Sequence, residues 1–102
     1  MADTPLNLPP TADWERLPQT VEACCAAEGL TVTMKGSLVK HPGCIHWHYK
    51  RGRERGTLEL TLVATTRRVW FTVQAGRTAD WIAPAMERLA QRIVEAAGGA
   101  AS

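Results

Sequence analysis

Residues 44–73 read CIHWHYKRGRERGTLELTLVATTRRVWFTV, and their alternation decides the fold. In residues 44–50, Ile45, Trp47 and Tyr49 alternate with Cys44, His46, His48 and Lys50. Further on, Leu58, Leu60 and Leu62 alternate with Glu59, Thr61 and Val63, and then Val69, Phe71 and Val73 alternate with Arg68, Trp70, Thr72 and Gln74. A period of two sorts the side chains onto the two sides of a strand, so each segment is a predicted strand with one apolar face and one polar face. The connections are short and polar. Residues 51–56 form a loop with two glycines, and Thr65-Thr66 form a turn. Strands joined in this way pair as antiparallel neighbours.

Upstream, Leu30, Val32, Met34 and Leu38 alternate with Thr31, Thr33, Lys35 and Ser37, a fourth half-buried strand that ends at a predicted type II turn in His41-Pro42-Gly43. Before it, Trp14, Leu17, Val21, Cys24 and Cys25 fall on one helical face, with Asp13 as the expected N-cap and Gly29 as the stop. A second helix is predicted over about 79–97, with an apolar stripe of Ile82, Met86, Leu89, Ile93 and Ala96. Pro84 is tolerable only near its first turn. The prolines at positions 5, 9 and 10 predict a flexible arm over 1–12, and Gly98-Gly99 a frayed tail over 98–102. The expected fold is α+β: a two-layer α-β-β-β-β-α domain over 13–97, in which both helices cover one face of a four-stranded antiparallel meander.

Length and composition agree with one soluble domain: 102 residues, of which 45% are hydrophobic and 22% charged. No apolar run approaches the roughly 20 residues of a membrane span, and residues 1–5 have no leader-like pattern, so no membrane partner and a cytoplasmic location are expected. Three cysteines, two of them adjacent, argue against a disulfide framework and read as small buried hydrophobes.

Charge is sorted along the chain. Residues 30–77 carry nine Lys/Arg against Glu54 and Glu59 only, a net +7, while the flanking helical segments are net negative. Such polarity bears on partners rather than on fold. Strand parity and loop lengths then suggest two rows across the polar face, Lys35–His48–Glu59–Thr72 and Ser37–His46–Thr61–Trp70, with Val39, Cys44 and Val63 forming a small apolar patch at one end. A shift of two residues would change the rows but not the face, and a shift of one is excluded by the hydrophobic pattern.

The polar face defines the candidate partner-binding residues: Lys35, His46, His48, Lys50, Glu59, Arg68 and Trp70, together with Arg51, Arg53 and Arg55 of the loop. Trp70 is an outward tryptophan in a basic field, suited to stacking on a base or anchoring an interface. The loop arginines and Arg68 suit phosphate contact from opposite ends of the sheet. No nucleophile or oxyanion donor accompanies these groups, so no catalytic set is expected, and no cofactor. The reading that follows is a small non-enzymatic module whose basic sheet face binds an anionic partner, with nucleic acid or another polyanion foremost. In arrangement the expected fold is similar to single-strand-binding folds of the Whirly and Pur type, an analogy of architecture from which no residue is carried over. The alternative is a homodimer or other protein assembly through the face around Trp70. A metal-binding or hydrolytic site at His46 and His48 ranks third, because the His-x-His spacing lets two imidazoles on one strand share an ion.

Overall fold

The alternation of residues 44–73 becomes the three central strands of an antiparallel sheet in the structure, a computed structural model that describes residues 2–98. The elements run β1 (Ala2–Pro5), α1 (Leu17–Ala27), β2 (Thr31–Leu38), β3 (His41–Lys50), β4 (Leu58–Val63), β5 (Arg68–Val73) and α2 (Ile82–Ala97). The strands are ordered β1-β5-β4-β3-β2, so β2 to β5 are the expected meander. Both helices lie over its apolar face. Trp47, Tyr49, Leu58, Leu60, Leu62, Val69 and Phe71 of the sheet form one core with Leu17, Val21 and Cys25 of α1 and Ile82, Leu89 and Ile93 of α2. Each large side chain so buried contributes about 1.5–3 kcal/mol, opposed by the chain entropy lost on folding.

Local signals set the helix ends. Asp13 Oδ1 accepts the N–H groups of Glu15 and Arg16 at 3.1 and 3.3 Å, which caps a turn ahead of the helix rather than the helix itself. Regular α1 begins at Leu17 with Pro18 in its first turn, where a missing N–H costs nothing. At the other end Gly29, at φ +76°, allows the N–H of Leu30 to reach the Cys25 carbonyl and its own N–H to reach that of Ala26, each at 3.0 Å. This is a Schellman stop. Pro84 falls in the first turn of α2, as expected.

Three expectations are corrected. First, the stretch read as a flexible arm is attached: Ala2–Pro5 pair with β5, the N–H of Leu6 donates to the Val69 carbonyl at 2.9 Å, and Leu6 is buried. The sheet therefore has five strands rather than four. Met1 and residues 99–102, most of the expected tail, lie outside the described residues. Second, β2 carries a bulge at Thr33. Val32 faces Tyr49, but Met34 faces His48 and Lys35 faces Trp47. One inserted residue reverses the parity of the residues paired after it, so the one-residue shift that the hydrophobic pattern is expected to exclude does occur in this strand. Third, the tight turn is Val39-Lys40, with Leu38 opposite His41, while Pro42 and Gly43 sit inside β3 in an irregular stretch. Cys44 pins that stretch: its Sγ accepts the N–H of Leu38 at 3.2 Å, and its carbonyl accepts the Ser37 hydroxyl at 2.7 Å. Cys44 and Val63 are consequently buried, and of the expected apolar patch only Val39 is exposed.

The core also holds titratable groups. Burial pushes the Cys25 thiol from an ordinary 9.0 up to about 12, and it raises Cys24 and Tyr49 as well. A folded value above the unfolded one means that the native state keeps its proton longer, so this stability is fully present below the ordinary thiol value and is lost as pH rises toward the folded one. The melting temperature should fall increasingly above the ordinary thiol value of 9.0, and Cys25→Ala should flatten that fall. Circular-dichroism melts between about pH 7 and pH 11 check this; equal slopes in the two proteins would show that the thiol is not the source.

Candidate functional site

The polar residues of β3, β4 and β5 share the face turned away from the helices, in the register the sequence predicts. His48 pairs with Glu59 and Glu59 with Thr72; His46 pairs with Thr61 and Thr61 with Trp70. The outer members of the rows differ. β1 adds Asp3 beside Thr72 and Pro5 beside Trp70, and β2 supplies Met34 and Gly36 where Lys35 and Ser37 are expected.

This face is a trough of about 570 Å³ rather than an open plane. His46, His48, Glu59 and Thr61 form its floor, and Met34, Leu38 and Val39 form one wall. The β2–β3 hairpin closes the end. It carries His41 across β4 to meet the Trp70 ring edge-on, with centroids 5.6 Å apart and planes at 71°. Arg68 lies over the same ring, its Cζ 5.1 Å from the centroid. Trp70, half-buried, thus stands between an imidazole edge and a guanidinium, with Lys40 beside it on the lip.

On the floor, three ligand-type atoms converge. His46 Nε2 is 3.2 Å from Glu59 Oε1, His48 Nε2 is 3.7 Å from the same oxygen, and the two Nε2 atoms are 3.1 Å apart. Glu59 is buried, with 4% of its side chain exposed. A carboxylate there must be compensated. Its second oxygen accepts the Gln74 amide at 2.7 Å and lies 3.8 Å from the Arg77 guanidinium. His46 Nδ1 shares a 2.7 Å hydrogen bond with Thr61 Oγ1. Burial holds His46 below its ordinary value, against the opposing pull of the Glu59 charge, so its imidazole is neutral at neutral pH. Together the three residues form a set able to hold a metal ion. The hydroxyl of Thr72 donates to Asp3 at 2.7 Å, so the second carboxylate of the trough is also held.

Of the residues predicted from sequence, His46, His48, Glu59 and Trp70 meet in the trough, while Arg68 lies over the Trp70 ring outside the trough lining. Lys35 does not: past the bulge it turns to the helix side, where its Nζ meets Glu22 Oε2 at 2.6 Å. The same carboxylate accepts the Trp47 indole N–H at 2.9 Å, and the Lys35 bond is the larger cause that lowers the Glu22 pKa. Lys50 ends β3 outside the trough lining, and Arg51 pairs with Glu54 at 3.4 Å. Arg53 and Arg55 line a separate hollow of about 680 Å³ with Asp80 and Trp81, whose indole N–H donates to the Arg55 carbonyl at 2.6 Å. That hollow is larger, but among the described residues the group of His, Cys, Asp or Glu atoms close enough to act together lies in the trough, which is therefore the better candidate. Sequence reasoning passed over Gln74, which the β5 alternation places on the polar face. It also passed over Asp3 and His41, for which no local pattern signals the position.

No family model, curated protein or solved structure matches this chain.

Thr61 tests how the floor is held. Thr61→Val keeps the shape but leaves His46 Nδ1 without its hydroxyl partner in a site where Thr61 is 1% exposed. It should lower stability by about 1–2 kcal/mol in urea unfolding and shift the His46 side-chain nitrogen resonances. An equally stable variant with unchanged resonances would show that the hydroxyl does not orient the ring.

Proposed function

We propose that the protein is a small non-enzymatic binding module that takes an anionic partner, single-stranded nucleic acid foremost, at the mouth of the trough. The observation that carries this reading is the surround of Trp70: a partly buried indole in the trough lining, with Arg68 Cζ 5.1 Å from its ring centroid and Lys40 in the same lining. An aromatic ring with cations near it gives both a stacking platform and phosphate compensation. The +7 of residues 30–77 adds a long-range field that attracts an anion. The carboxylates below are met by their own partners, Glu59 by Gln74 and Arg77 and Asp3 by Thr72, which limits their repulsion of a ligand.

Titration of a labelled oligodeoxythymidine at low salt, repeated at rising salt, tests this. Affinity should fall as salt rises. Trp70→Ala should weaken binding by at least about tenfold, the size expected for one lost stacking contact. Arg53→Ala, in the separate hollow, should cost much less than Trp70→Ala, and its small effect should vanish as salt rises. No binding at low salt ends the reading, and loss through Arg53→Ala but not Trp70→Ala moves the site to the other hollow.

Assembly is the second reading, and one observation favours it. β2 is an edge strand with residues 31–37 exposed, including Val32 and Met34 at 46% and 41%, and Val39 beyond it is 96% exposed. A long edge with apolar side chains is a template for pairing with another chain. On this reading, light scattering after size exclusion gives a dimer mass that Thr33→Pro reduces to monomer; a monomer at high concentration overturns it.

A further inference from the structure

The geometry points to a divalent transition-metal site on the trough floor, in which His46 Nε2, His48 Nε2 and Glu59 Oε1 hold an ion of the size of Zn²⁺ with one side open to the cavity. The spacing carries the inference. The three atoms are separated by 3.1, 3.2 and 3.7 Å. An ion bound tetrahedrally at ~2.0–2.1 Å sets its ligand atoms about 3.3–3.4 Å apart. An ion therefore fits equidistant from all three without a shift of strand.

The scaffold is rigid. Two ligands stand at i and i+2 on β3, and the third is the cross-strand partner of His48 on β4. All three come from strands at the middle of the sheet rather than from loops, the placement that holds a site most exactly in position. The atoms not offered to the ion are already engaged: His46 Nδ1 with Thr61 at 2.7 Å, and Glu59 Oε2 with Gln74 at 2.7 Å. Outer partners of this kind orient metal ligands and fix which atom faces the ion. A hydrogen-bonded cluster satisfies the same atoms less well. When His46 donates from Nδ1, its Nε2 presents a lone pair, as does Glu59 Oε1, and one N–H on His48 serves only one of them in good geometry. A dication serves all three and compensates a carboxylate that is 4% exposed.

Two imidazoles and one carboxylate suit first-row ions from Mn²⁺ to Zn²⁺. The ligands all lie below the ion, on the floor, so its remaining positions face the trough. Three protein ligands with an open position is the pattern of sites that bind an exchangeable ligand, not of closed structural sites. The inference rests on the three side chains alone and does not depend on the anion-binding reading.

The test is titration of untagged protein with ZnCl₂ by calorimetry and with CoCl₂ by absorption. One Zn²⁺ per chain should bind, with a Kd of about 1 μM or below. Co²⁺ should give visible bands of a four- or five-coordinate ion without an intense near-ultraviolet thiolate band. His48→Ala is the variant of choice because His48 is at the edge of the floor, 20% exposed, and Glu59 keeps Gln74 and Arg77. It should remain folded and weaken Zn²⁺ at least about 100-fold, with Glu59→Gln weakening it at least about tenfold. Absence of saturable Zn²⁺ binding, equal affinity in the folded His48→Ala protein, or a thiolate band that places the ion on a cysteine overturns the site. If a variant unfolds, wild-type nitrogen resonances decide: Zn²⁺ must move those of His46 and His48, and resonances left in place overturn the site equally. Zn²⁺ binding of this kind in a protein that ignores the oligonucleotide leaves the site standing and ends only the other reading.

Discussion

A carboxylate buried on the outer face of a sheet constrains everything around it. Glu59 alternates with Leu58 and Leu60, so it must point away from the helices, yet only 4% of its side chain meets solvent. An ionised group so placed loses hydration worth several kcal/mol, and the protein must return it in kind. It does so with His46 and His48 of β3, Gln74 just past β5, and Arg77 in the following loop. Those contacts tie three strands and the approach to α2 to one side chain. A slip of one residue in either pairing would strand the carboxylate as well as expose the apolar set, so register is specified twice over.

The same residue explains why some of the site was legible in the sequence. The β3, β4 and β5 rows follow from strict alternation and short loops, and with them the meeting of His46, His48, Glu59 and Trp70. The sheet's outer strands obey weaker rules. At Thr33 the bulge costs little because β2 is an edge, where an unpaired residue can meet water, and nothing in residues 30–38 marks it. Its consequence is large: Lys35 leaves the site for Glu22, and Met34 takes the place beside His48. β1 was illegible for a different reason. Residues 2–5 show no alternation and end in Pro5, and they are held by main-chain bonds to β5 and by the burial of Leu6, neither of which is local information.

The trough's depth likewise lay beyond local pattern. A hairpin tip read as His41-Pro42-Gly43 would leave the face flat. With the turn at Val39-Lys40 and the irregular stretch pinned by Cys44 against Leu38 and Ser37, β3 lengthens and bends, and His41 reaches Trp70 two strands away. That bend converts a polar face into a concave one. It also buries Cys44 and Val63, which strand parity alone would leave as a surface patch.

Charge sorting takes on a different meaning in this setting. Of the nine cations in residues 30–77, Lys35, Arg51 and Arg77 face Glu22, Glu54 and Glu59. Arg53 and Arg55 border a different hollow. What the trough retains is a cationic lip, made by Lys40 in its lining and Arg68 over the Trp70 ring just outside it, above a floor that carries Asp3 and Glu59. For an anion those two layers oppose each other: the lip attracts, and the floor repels any group that reaches past Trp70. A dication on the triad would offset the lower layer, since its two charges balance the carboxylates of Glu59 and Asp3. The two occupants would then be linked. Whatever factor the ion adds to the affinity of an anion, the anion must add to the affinity of the ion. On these two proposals together, the depth to which an anion enters would depend on whether the floor holds an ion, and the charge of the strands would set only how strongly the anion is drawn to the lip.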